Sequence, residues 1–182
     1  MCLLINKHIH KPKTVYHTDY DGRVFCTEER KPLYSDKDII VYKVLKGKQL
    51  AIDTICYPYD TPIRMELIYV TPFMGCTVFF DDGKADIISK IQFSDDCYAD
   101  HDKINKGLHS YISRNKALEH LNPFLFSDLN LKIFTAIIPA YTDFYIGEDG
   151  DVVSSRLIIY EDDTKINREN SIEIEEFIKN LI

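Results

Sequence analysis

The run Leu131-Lys132-Ile133-Phe134-Thr135-Ala136-Ile137-Ile138, closed by Pro139, decides how the rest of the chain is read. It falls well short of the ~18 to 20 apolar residues that a membrane helix needs, and its apolar, β-branched character is that of a central strand. Proline has no N–H to give to a sheet ladder, so the strand is predicted to stop at Ile138. Downstream, Phe144 to Ile146 and Val152 to Tyr160 form two further strands around the turn Gly147-Glu148-Asp149-Gly150. Upstream, apolar alternation marks strands at Ile39 to Leu45, Gln49 to Tyr57, Arg64 to Val70, Cys76 to Phe80 and Ala85 to Phe93, with a short one at Lys106 to Tyr111. Asp82-Gly83 tolerates the positive φ angles of a tight turn and predicts an antiparallel hairpin there. Ser113 can cap a helix from Arg114 to about Leu121, ended before Pro123 by the pre-proline restriction. From Ser171 on, Ile172, Ile174, Phe177, Ile178 and Leu181 recur at helical spacing, and Asn170 with Glu173 makes a capping-box-like start, which predicts an amphipathic helix over 171–181. The sum is an α+β fold: one domain over 1–182 with a twisted, mainly antiparallel sheet, two or three helices, and residues 1–35 as an N-terminal arm or hairpin.

The chain has 182 residues, 45% hydrophobic and 28% charged, enough to bury a core, and carries no linker, repeat or low-complexity block at which to divide it. Its net charge of −7 disfavours a direct grip on nucleic-acid phosphates. The charge is polarised: residues 81–102 and 161–182 are acidic, whereas residues 1–31 carry a slight excess of bases. An acidic run is commonly a solvated face. The sharper expectation is a docking surface of Asp95, Asp96, Asp100 and Asp102 for a protein partner with a basic surface, anchored by some of the 12 Tyr and 10 Phe. Met1 to Ile5 is too short for a secretory signal, so the expected location is the cytoplasm, with no membrane contact. The C-terminal helix could pack on its own sheet or on a second copy, so a homodimer stays open.

Five cysteines (Cys2, Cys26, Cys56, Cys76, Cys97), an odd number without a C-x-x-C pair, point to free thiols, mostly buried, in a reducing compartment. Cys2 has an enzymatic reading, because a Cys exposed as first residue joins a thiol nucleophile to a free α-amine; with Met1 retained that amine is blocked. His8, His10 and His17 with Cys2 and Cys26 match no closed zinc site by spacing, Asp149-Gly150-Asp151 lacks the acidic ladder of a calcium loop, and the carboxylates of Asp100-His101-Asp102 belong to an acidic loop that is ordinarily solvated. No G-x-G-x-x-G, G-x-x-x-x-G-K-[ST] or G-x-S-x-G occurs. The expectation is a non-enzymatic protein with no metal and no cofactor.

Two resemblances bear on function. Gly107-Leu108-His109-Ser110-Tyr111, a helix carrying Ala117, the strand ending in Pro139, and Tyr145-Ile146-Gly147-Glu148 resemble the core of ADP-ribosyltransferase-like folds, which implies His109, Tyr111 and Glu148 as the pocket of a degenerate nucleotide-binding enzyme using NAD. The spacing departs from that family's pattern, and the plainer reading places Leu108 and Tyr111 in the core and Gly107 and Gly147 in turns. The chain as a whole is similar to a group of uncharacterised small proteins of gut bacteria and their phages, through Met1-Cys2-Leu3, Asp38 to Leu45, Pro72-Phe73-Met74-Gly75, Gly107 to Tyr111 and the Ile138-Pro139 to Gly147 stretch. That similarity implies a small accessory protein that binds or inhibits a host protein, for instance a nucleic-acid-guided defence nuclease.

Overall fold

The computed structural model describes residues 3–48, 68–70, 77–94, 102–119 and 131–181. Fifteen strands follow in chain order: β1 Leu3–Leu4, β2 Pro12–Thr18, β3 Val24–Arg30, β4 Asp38–Lys48, β5 Ile68–Val70, β6 Thr77–Val78, β7 Lys84–Ile88, β8 Gln92–Phe93, β9 Lys103–Lys106, β10 Leu108–Tyr111, β11 Leu131–Ile138, β12 Phe144–Ile146, β13 Asp151–Ser154, β14 Arg156–Tyr160 and β15 Ser171–Glu173. Two α-helices, α1 Arg114–Glu119 and α2 Ile174–Leu181, complete the described chain. The architecture is α+β-like but sheet-rich, and its pairing is antiparallel except where β15 runs parallel to β4.

Leu131–Ile138 is a central strand. It lies between β4 and β14, with an eight-residue register from Leu131↔Lys46 to Ile138↔Ile39. The main sheet runs β12-β13-β10-β4-β11-β14-β7. The chain passes from β13 to β14 through the single residue Ser155, so one nearly continuous stretch pairs with β10 on one side of the path and with β11 on the other. The sheet therefore curls back on itself, and its two faces become an inside and an outside. Alternation along the strands sorts the residues. Ile39, Val41, Leu45, Ala136, Ile138, Leu157, Ile159, Val152 and Phe144 point inward and form the main core, on which Ile174 and Phe177 of α2 also pack. The outer face is covered in three places: by β1-β9-β8 over Tyr145 and Val153, by Ile166 over Ile40 and Ile137, and by Ala117 of α1 over Val44 and Tyr111.

Several sequence expectations are refined. The segment expected as one helix from Ser171 begins as β15, whose Ser171–Glu173 pair with Asp38–Ile40, and turns helical only at Ile174. Asn170 therefore closes a 3-10 turn instead of capping the helix, and it is Asn167 that accepts from the Glu169 N–H. The free N–H and C=O groups on the first part of β4 take three residues that local periodicity assigns to the helix. Asp82-Gly83 is a turn with φ of 47° and 72°, as predicted, but only Asp81 and Lys84 bridge across it, and β7 spends its ladder on β14. Lys106–Tyr111 and Val152–Tyr160 are each broken in two, at Gly107 and at Ser155. Ala85–Phe93 divides likewise into β7 and β8, which belong to different sheets. Ser113 caps α1 by accepting from the Lys116 N–H at 3.2 Å. The strand expected at Gln49–Tyr57, most of that at Arg64–Val70, the Pro72–Gly75 element and the end of the first helix lie outside the described residues.

Candidate functional site

Residues 1–35 do contain a hairpin. In β2, Thr14, Val15, Tyr16 and Thr18 are strand formers, as are Val24, Phe25 and Thr27 in β3, and the two strands pair from Pro12↔Arg30 to Thr18↔Val24. At the tip, the Asp19 carboxylate accepts from the N–H groups of Asp21 and Arg23 at 2.9 and 2.8 Å, and Gly22 takes φ 77°. Asp21-Gly22 between two alternating runs was a legible hairpin signal. The two strands form a sheet of their own, joined to no third strand among the described residues. Such a hairpin is marginal by itself in water. Here its root is held instead.

That root is a buried polar knot. Arg30 Nε donates to Asp102 at 2.7 Å, Arg30 Nη1 donates to the His10 carbonyl at 2.9 Å, and Lys7 pairs with the same Asp102 carboxylate at 3.0 Å. Burial alone would raise the Asp102 pKa, but hydrogen bonds from Arg30 and Lys7 outweigh it and hold the carboxyl below its ordinary range. His10, 2% exposed, sits 3.0 Å from the Lys31 carbonyl through Nδ1 and accepts from the Ile146 N–H through Nε2 at 2.9 Å. Those two bonds fit only the neutral Nδ1–H tautomer. Burial accordingly pushes its pKa down, against the Lys31 hydrogen bond. The His10 ring stacks on Tyr145, whose hydroxyl donates to the Arg30 carbonyl at 3.2 Å.

Register sorts the hairpin side chains onto two faces. Lys13, Val15, His17, Phe25 and Glu29 share one face, and Tyr16, Thr18, Val24, Cys26 and Glu28 share the other. The first face roofs a cleft of about 680 Å³ whose floor is Phe93 and Tyr145. On the second, Tyr16 is 74% and Val24 68% exposed, with Tyr20 fully exposed at the tip. Cys26 is a free, exposed thiol; the other four cysteines lie outside the described residues.

Asp95, Asp96 and Asp100 lie outside the described residues, and Asp102 is 6% exposed in the knot at the hairpin root. Exposed carboxylates do gather elsewhere, where Asp81 and Asp82 of the β7 turn meet Glu161, Asp162 and Asp163: the Glu161 N–H donates to the Gly83 carbonyl, and Lys165 Nζ donates to the Asp82 carbonyl at 2.8 Å. His109 and Tyr111 are buried neighbours on the outer face of β10, opposite Val153 and Asp151, whereas Glu148 is exposed in the β12–β13 turn. Burial, with the Lys43 ammonium nearby, pushes the His109 pKa down to about 4. Burial and Asp151 push the Tyr111 hydroxyl up to about 12. His109 Nδ1 and Ser110 Oγ are buried without a hydrogen-bond partner among the described residues, while Lys43 Nζ donates to the His109 carbonyl. No group of three or more potential metal ligands occurs among the described residues, and no described helix is long and apolar enough to cross a membrane.

Comparison of the chain with family models, curated proteins and solved structures finds no match.

Proposed function

We propose that this is a small cytoplasmic, non-enzymatic binding protein of the inhibitor or adaptor kind, which engages a host protein through the outer face of its N-terminal hairpin. One observation carries the reading: Tyr16, Tyr20 and Val24 are held out in solvent on a two-stranded sheet whose root is tied down by Arg30, Asp102 and His10. Exposed aromatics cost solvation, and Tyr on a rigid support gives large contact area for little ordering entropy. The acidic cluster at Asp82 and Glu161–Asp163 supports the companion idea that the partner is basic, because it would steer such a surface by long-range attraction. The NAD-pocket reading has less behind it, since His109 and Tyr111 are packed into the sheet while Glu148 lies in solvent.

The test compares tagged protein with a Tyr16→Ser, Tyr20→Ser, Val24→Ser variant in nuclease-treated host lysate. A single near-stoichiometric protein retained by the native hairpin, lost by the variant and released by added salt is the expected result. Equal retention by both, or no partner at all, overturns the proposal.

A further inference from the structure

We infer that the cleft between the hairpin and the body is a binding site for a small planar aromatic monoanion, distinct from the outer face of the hairpin. At about 680 Å³ it has the size of small-molecule sites, roughly 300 to 1,000 Å³. Its two walls are aromatic. On the roof, the His17 and Phe25 rings lie 5.2 Å apart at 21°; on the floor, Phe93 meets Tyr145 edge-on at 5.5 Å and 87°. Phe25 is 50% exposed although it faces the cleft, so the roof does not fill the space with its own side chains. A slot between two aromatic pairs favours a flat ring, which can stack or meet ring edges on both sides.

Charge at the rim selects among flat ligands. Arg30 is committed to Asp102, but Lys13 and Lys31 have no ion-pair partner among the described residues. Against these two ammoniums stands one carboxylate on the same wall, Glu29, directly across the ladder from Lys13. One uncompensated positive charge remains in a protein whose net charge is −7. It matches a single carboxylate or sulfonate better than a dianion, which Glu29 would repel. A ligand of this class would seat its ring among Phe25, Phe93 and Tyr145 and its anionic group between Lys13 and Lys31.

The experiment uses the full chain, with 1-anilinonaphthalene-8-sulfonate as fluorescent probe and indole-3-acetate and neutral indole-3-acetamide as competitors. Saturable binding of one probe per chain is expected, displaced by the acetate at concentrations at least tenfold below the amide. Lys13→Gln with Lys31→Gln, at exposed positions that cannot disturb packing, should bring the two competitors within twofold of each other, and Phe25→Ser should weaken all three ligands at least tenfold. No saturable binding, equal displacement by acid and amide, or titrations unchanged in these variants overturns the inference. The Tyr16→Ser, Tyr20→Ser, Val24→Ser protein alters the opposite face and should titrate like the native chain, so failure of partner capture and failure of this site read out separately.

Discussion

Asp102 and His109 show how differently two buried ionisable side chains are treated. Asp102 has two cations and stays ionised; His109 Nδ1 has no partner among the described residues and stays neutral. Removing one member of a buried ion pair leaves the other charge uncompensated, typically about 3 to 5 kcal/mol. Arg30→Ala should therefore lower stability by about 3 kcal/mol, less than the upper figure because Lys7 still reaches Asp102, as read by urea denaturation. For His109 the folded pKa of about 4 lies below the ordinary 6.5. Above pH 6.5 neither folded nor unfolded imidazole is protonated and stability is full. Below it the unfolded chain gains a proton that the folded chain does not, so stability falls between pH 6.5 and about 4, by up to about 3 kcal/mol. His10, also pushed down by burial, adds to the same acid loss. Melting His109→Leu and native protein at pH 7 and pH 4.5 checks this: the gap between the two pH values should narrow in the variant, and an unchanged gap would count against the assignment. Ser110 offers the opposite case. Its Oγ is buried without a partner among the described residues, so Ser110→Ala should be neutral or stabilising by up to about 1 kcal/mol, against the usual trend for buried substitutions.

Among the elements, the breaks in the strands matter as much as the strands. Gly107 separates β9 from β10 with φ 150°, and a Cβ there would run into Val153 Cγ1. Backbone strain and overpacking each cost about 1 to 3 kcal/mol, so Gly107→Ala should destabilise by about 2 to 4 kcal/mol in a thermal or urea melt. The helix α2 sets another limit. Ile174 is fully buried and Phe177 meets Phe144 at 5.6 Å, so the helix supplies part of the main core. Ile174→Ala should cost about 2 to 5 kcal/mol, and Leu181→Ala, at a half-exposed position, should be nearly silent. The helix was legible from Ile174, Phe177 and Ile178, but its first three residues were not. Whether Ser171-Ile172-Glu173 is a turn of helix or a strand depends on Asp38–Ile40 offering a ladder more than 130 residues away in sequence.

For the molecule as a whole, the strand-rich, mostly antiparallel character and the central place of Leu131–Ile138 followed from composition and alternation. So did the turns at Asp82-Gly83 and Gly147–Gly150 and the Ser113 cap, because each is a short-range preference of backbone dihedrals or of one side chain for a nearby N–H. An arm or hairpin within residues 1–35 was likewise within reach. Where the curled sheet puts its two faces was not, since the side-chain period of two is the same for either face of a strand. Nor was the cover over each part of the outer face: Tyr145 and Tyr111 both lie on it, yet one is covered by β1-β9-β8 and the other by α1. The same limit applies to charge. Asp102 belongs to an acidic stretch and reads as surface, yet Arg30, which holds it at 2.7 Å, is 72 residues away. The cleft follows the same rule, its roof drawn from residues 13–29 and its floor from residues 93 and 145. Sequence by itself determined the turns, the Ser113 cap and the apolar runs that become strands or helix, because their causes act within a few residues. Tertiary structure alone decided the curl, the knot and the cleft, because each needs side chains whose meeting depends on how the whole sheet closes.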